Sequence, residues 1–185
     1  MDAFSYLAVL FSIVLGLALT QILQGFSTLI LARRRVVIYW PALIWGALVL
    51  LVVIQAWWAM FALRAVRVWT FAMYANVLLQ TIFTYMVARL ALPDIDGANQ
   101  IDMRESYFAH SRWLFALFAL TVASSLAKDF VFANPILLLN TAFHGFFFVT
   151  AIIAALTKSR WYHALLAPLS AVAFVIYIVM LFARL

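Results

Sequence analysis

Apolar positions fall in long unbroken runs, separated by short clusters rich in Arg, Asp and Pro. A helix rises about 1.5 Å per residue, so roughly 20 apolar residues cross a hydrocarbon layer about 30 Å thick. Six runs qualify, over approximately 4–32, 39–63, 68–92, 106–127, 134–157 and 161–183. None shows the short alternating segments of a membrane β-barrel. The expected fold is therefore all-α: one polytopic membrane domain over 1–185 with six transmembrane helices, whose longest polar connection is 93–105.

The breaks between runs have physical causes. Arg33, Arg34 and Arg35 end the first helix. Pro41 sits in the first turn of the second, where a missing N–H costs nothing. Pro93 stops the third. Asn134 and Pro135 are expected as N-cap and first helical residue of the fifth. Pro168 lies inside the sixth span, where it should kink the helix or free the carbonyl near Ala164. The first run is too long for a signal peptide and lacks its positive n-region and cleavage site, so it is expected to be a retained helix.

Composition narrows the class further. Hydrophobic residues make up 69% of the chain and charged residues 10%, with a mean hydropathy of +1.13. A soluble domain carries about 25% charged residues, so one water-soluble core is excluded. The absence of Cys excludes disulfides, thiol redox chemistry and Cys-ligated metal. The net charge of +6 lies at the ends of apolar runs, which fits lipid headgroups rather than nucleic acid. With six spans, one side holds Arg33, Arg34, Arg35, Arg89, Arg104, Arg112, Lys158 and Arg160. The other holds Arg64, Arg67, Lys128 and Arg184. The first side should be cytoplasmic, which places both termini outside. Arg67-Val68-Trp69 and Arg160-Trp161 open the third and sixth spans alike, an echo that suggests 3+3 inverted halves.

Candidate chemistry lies within the spans. His144 is expected near the bilayer midplane, with Asn140 one turn earlier as a partner, because unsatisfied polar groups in lipid cost several kcal/mol. Gln21, Gln24, Gln55, Asn76 and Gln80 add amides at hydrocarbon depth. These seven residues are the substrate-path candidates, against the plainer reading of polar glue between helices. Ser12, Gly16 and Thr20 recur at i, i+4, a row that suits close helix packing. No Asp or Glu is expected inside a span, which disfavours carboxylate-driven antiport. Both lysines read as helix-end residues.

Asp94, Asp96, Asp102 and Glu105 match positions one, three, nine and twelve of a calcium loop, but Ala98 and Asn99 fail at five and six. The competing reading makes Asp102 the cap of the fourth helix, with Glu105 closing a capping box. No cofactor is expected, and no catalytic residues are assigned: HExxH, GxSxG and phosphate-cradling loops are absent.

Ser12, Leu15-Gly16-Leu17, Thr20-Gln21, Tyr39-Trp40-Pro41, Trp45, Gln55 and Trp57-Trp58 give residues 4–61 a resemblance to an uncharacterised family of small bacterial multi-pass inner-membrane proteins. The resemblance implies a bacterial inner-membrane location and carries no activity. The function expected is a small channel-like or transporter-like protein, a homo-oligomer in contact with lipid. Its rivals are a scaffold or accessory subunit docking another membrane protein, and a membrane-embedded enzyme acting on lipid, for which no nucleophile–base pair is apparent.

Overall fold

The computed structural model describes residues 3–95, 100–133 and 137–181. Six helices, each long and apolar enough to cross a membrane, account for nearly all of them: α1 Ala3–Leu31, α2 Trp40–Met60, α3 Phe71–Leu90, α4 Met103–Val131, α5 Leu138–Leu156 and α6 Arg160–Leu181. A 3₁₀ turn, Phe61–Ala65, extends α2. Pro41 lies in the first turn of α2 and the Thr70 hydroxyl caps α3, accepting from the Met73 N–H at 3.3 Å.

The largest departure from the hydropathy reading is α4, which extends beyond 106–127 at both ends. Charges mark the edge of an apolar run but not the end of a backbone ladder. At the start, the Asp102 carboxylate accepts from the Arg104 and Glu105 N–H groups at 2.8 and 3.4 Å. Asp102 therefore caps as expected, but Glu105 makes no return bond that would close a box. At the other end the helix takes in Lys128 and Asp129, so a carboxylate does lie inside a spanning helix. The first described helical residue of α5 is Leu138; Asn134 and Pro135 lie outside the described residues. Helix α6 continues through Pro168 as one element.

Two short strands, β1 Val36–Val37 and β2 Ile101–Asp102, pair in parallel and join the α1–α2 and α3–α4 connections at one end of the bundle. That end carries Arg33 to Arg35, Arg89 and Arg104, and is the arginine-rich end below. Helix α4 packs along α3 and α5, α1 along α3 and α2, and α6 along α2 and α5. The equivalence expected of inverted three-helix halves is not seen. Helices α1 and α3 pack closely along their backbones, whereas α4 and α6 meet through Tyr107, Phe108, Phe115 and His163.

The core is aromatic and small-residue. Trp45 is buried edge-on against Phe115 and Phe118, at 4.8 and 5.8 Å between ring centroids. Leu92, in the chain leaving α3, fills a notch between Gly25 of α1 and Gly46 of α2. A Cβ on either glycine would stand 2.9 Å from a Leu92 methyl. Trp40, Trp57, Trp58 and Trp161 are exposed and sit towards helix ends, as residues at a headgroup level do, whereas Trp113, also exposed, lies nearer the middle of α4.

Candidate functional site

A cavity of about 100 Å³ opens among the helices on the side away from the arginine-rich end, with lining residues from all six. Its polar lining is Gln55 of α2, Gln80, Thr81 and Thr84 of α3, Thr121, Ser125 and Lys128 of α4, His144 of α5 and Tyr177 of α6. Leu15, Val77, Phe118, Phe147 and Phe174 close its apolar side. At roughly 30 Å³ per water, the space holds about three waters.

The lining groups differ in what they have left to offer. His144 is saturated. Its Nδ1 lies 2.8 Å from the Asn140 carbonyl, which can only accept, so that nitrogen carries the proton. Nε2 then accepts from the Ser125 hydroxyl at 2.9 Å. In its neutral form the imidazole ties α5 to α4. The partnership with Asn140 is thus through its backbone. The Asn140 amide instead donates to Asp129 at 3.2 Å, while its oxygen accepts from the Tyr177 hydroxyl at 3.3 Å. His144 is the seventh of nineteen residues in α5, about 9 Å along the axis from the first residue at 1.5 Å per residue. It lies about a third of the way along the described helix, short of the midpoint at Phe147.

Ser125 and His144 form a nucleophile–base contact that the sequence did not reveal, because the residues sit on different helices. The Ser125 N–H lies within the α4 ladder, so it is not free to build an oxyanion hole of the usual backbone kind. The contact reads as a cross-helix tie.

Gln55, Gln80 and Lys128 are the groups with capacity to spare. Among the described residues, no side-chain hydrogen bond is found for either glutamine, and no carboxylate lies within 4 Å of the Lys128 ammonium. The Thr81, Thr84 and Thr121 hydroxyls donate to carbonyls of their own helices and keep acceptor capacity towards the cavity.

The other candidates lie elsewhere. Asn76 donates to the Ser124 carbonyl at 3.3 Å, joining α3 to α4 outside the cavity. Gln21 and Gln24 line a separate recess of about 320 Å³ at the arginine-rich end, with Gly25, Thr28, Ala88, Arg89, Leu92 and Asp94. The two spaces approach along the α1–α3 seam. Thr84 borders one and Ala88, a turn later, the other; on α1 the fully buried Ala18 lies between them, with the fully buried Ile22 a turn further on. In the first helix, Phe11, Leu15, Ala18, Ile22 and Leu29 form the buried face. Thr20 is exposed, and a Cβ on Gly16 would meet nothing within 4 Å, so this row is not used for close packing within the chain.

At the arginine-rich end, Asp94 pairs with Arg89 through two contacts of 2.7 and 2.6 Å. The Arg89 hydrogen bond, helped by its charge and that of His110, holds the Asp94 carboxyl below its ordinary value against the opposing effect of burial. Asp94 and Asp102 thus have structural partners, Asp96 lies outside the described residues, and no group of three metal-ligating side chains is found among the described residues. His163 is fully buried at this end. It accepts from the Tyr107 hydroxyl at 2.9 Å and donates through Nε2 to the Thr157 carbonyl at 3.0 Å, which occupies both ring nitrogens.

No protein-family model, curated protein or solved structure matches the chain. The functional reading rests on the geometry of the chain itself.

Proposed function

We propose that this chain is a small channel-like or transporter-like membrane protein, in which the Gln55–Gln80–Lys128 cavity and the Gln21–Gln24 recess are the two mouths of one solute path. The observation that carries the reading is the set of uncommitted polar groups facing one cavity: Gln80 at the middle of α3, Gln55 towards the end of α2 and Lys128 in the last turn of α4. An amide or ammonium withdrawn from water without a partner costs several kcal/mol, so such groups belong to a wet or ligand-bearing space. The seam at Thr84, Ala88, Ala18 and Ile22 is then the constriction between the mouths. The Lys/Arg distribution supports a cytoplasmic arginine-rich end with both termini outside, and the resemblance of residues 4–61 supports a bacterial inner membrane.

Proteoliposomes test the path. The wild type is expected to pass small polar solutes faster than empty vesicles. Thr84→Phe, which fills the constriction, should abolish the excess. His144→Ala, which opens the α4–α5 tie, should alter it. Flux equal to that of empty vesicles for ions and small polar solutes alike, in wild type and both variants, would sink the reading.

One observation favours a second reading. Gly16, with open space where a Cβ would stand, and the exposed Thr20 let another helix approach α1 closely, as a homo-oligomer or a docked membrane subunit requires, while Ser12 lines a groove with Trp57 and Trp58. A pull-down in mild detergent that recovers a stoichiometric foreign protein favours the subunit; recovery of this chain alone, in multiple copies, favours the homo-oligomer.

A further inference from the structure

We infer that the cavity is a binding site for a short-chain monocarboxylate, with Lys128 as its counter-cation. The inference rests on reading the cavity as open to solutes, but not on transport through it.

The lining sets the charge of the occupant. Lys128 is the one Lys, Arg, Asp or Glu among the lining residues, and His144 has both ring nitrogens engaged by the protein. The nearest carboxylate in sequence, Asp129, is not a lining residue. It accepts from Asn140 on α5 and lies beyond 4 Å of the Lys128 ammonium. An ammonium drawn into a bundle interior is stabilised by an opposite charge, and here the protein supplies none in ion-pair contact.

The remaining lining sets the shape of the head and body. The Gln55 and Gln80 amides, which make no side-chain bond among the described residues, line the same cavity and are donors suited to an acceptor-only head. A carboxylate offers two oxygens with about four lone-pair sites, enough for an ammonium and two amides. Leu15, Val77, Phe118, Phe147 and Phe174 add hydrocarbon and aromatic rings to the same lining, for the body. A space of about 100 Å³ limits that body to a few heavy atoms. A bare halide would leave the apolar wall unfilled. A dianion would bring one charge more than Lys128 balances.

The test measures binding without flux. Full-length protein in phosphatidylcholine nanodiscs is titrated with radiolabelled butyrate in a proximity assay. Saturable binding is expected. Lys128→Met should weaken it about ten- to hundredfold, the range of a charge-assisted hydrogen bond. Lys128→Arg should keep it within about threefold, and Gln80→Leu should weaken it measurably. Acetate and propionate should compete, while chloride, inorganic phosphate and a short-chain phosphatidic acid should not. The proposal is overturned by the absence of saturable binding, by affinity unchanged in folded Lys128→Met, or by phosphate or phosphatidic acid displacing butyrate better than acetate does. Should Lys128→Met fail to fold, unchanged affinity in folded Gln80→Leu overturns it equally. Butyrate bound but never carried removes the path and keeps the site; polar solutes carried without butyrate bound remove the site and keep the path.

Discussion

Asp94 and Lys128 show how differently a charge behaves at the surface and inside the bundle. Asp94 and Arg89 are 62% and 45% exposed, so water screens their attraction and the pair contributes less than about 1 kcal/mol. The sign is nonetheless fixed. The Asp94 carboxyl is held below its ordinary value of 3.8, so its contribution to stability is complete above that pH and disappears as the pH falls through the lowered folded value. Asp94→Asn should therefore be slightly less stable than wild type near neutrality. The difference should vanish in acid and shrink with added salt, as read by thermal unfolding in detergent. A gap that widens on acidification would contradict the pairing. Although Asp129 follows it in sequence, Lys128, in the last turn of α4, makes no ion pair within 4 Å among the described residues. Its role was not legible from position alone: a Lys followed by Asp near the end of an apolar run looks like the usual polar edge of a span, and only the continuation of α4 to Val131 draws it inward.

Element boundaries were the most legible part of this chain where the causes are local. Pro41, the triple arginine and Pro93 act on their own backbone, and α1 ends, α2 begins and α3 ends within a few residues of the places those residues mark. What escaped were effects that need a second element. Gly25 and Gly46 carry no periodic signal, yet together they make the notch for Leu92, because the absence of Cβ lets a third segment come in. Gly46→Ala would press on Leu92 at 2.9 Å and on Phe26 at 3.0 Å. It should cost about 1–3 kcal/mol, the usual penalty of overpacking, and the double variant Gly46→Ala/Leu92→Ala should not add a further clash. Unfolding midpoints of the two single variants and the double variant form the cycle that checks this. Fully additive losses would mean that the notch is not the contact that matters. The same reasoning accounts for Ser125: nothing within α4 distinguishes it from Ser124, whose hydroxyl turns back to Leu120 at 2.9 Å, until α5 brings His144 beside it.

At the scale of the molecule, composition settled the solvent and the helix count, while the division of polar residues into two spaces required the packing. The seven path candidates look like one track along the sequence. In the bundle Gln55, Gln80 and His144 gather at one cavity, Gln21 and Gln24 at another, and Asn76 and Asn140 join neighbouring elements. Orientation is open to a direct check because the chain has no Cys. Arg67→Cys should react with a membrane-impermeant maleimide on intact cells, and Arg34→Cys only after permeabilisation. The opposite labelling would invert the molecule and make the arginine-rich end external.

The parallel clasp of β1 and β2 has a mechanical corollary. It staples two helical hairpins, α1–α2 and α3–α4, at a single extremity, so these hairpins can separate least there and most at the far extremity. A scissoring motion about the clasp would widen the Lys128 side while barely disturbing the recess beside Arg89. The tie from Ser125 to His144 crosses between α4 and α5 on the side that would swing. That bond joins α4 to α5 and not the two hairpins, so their separation would be resisted by the packing of α1 on α3.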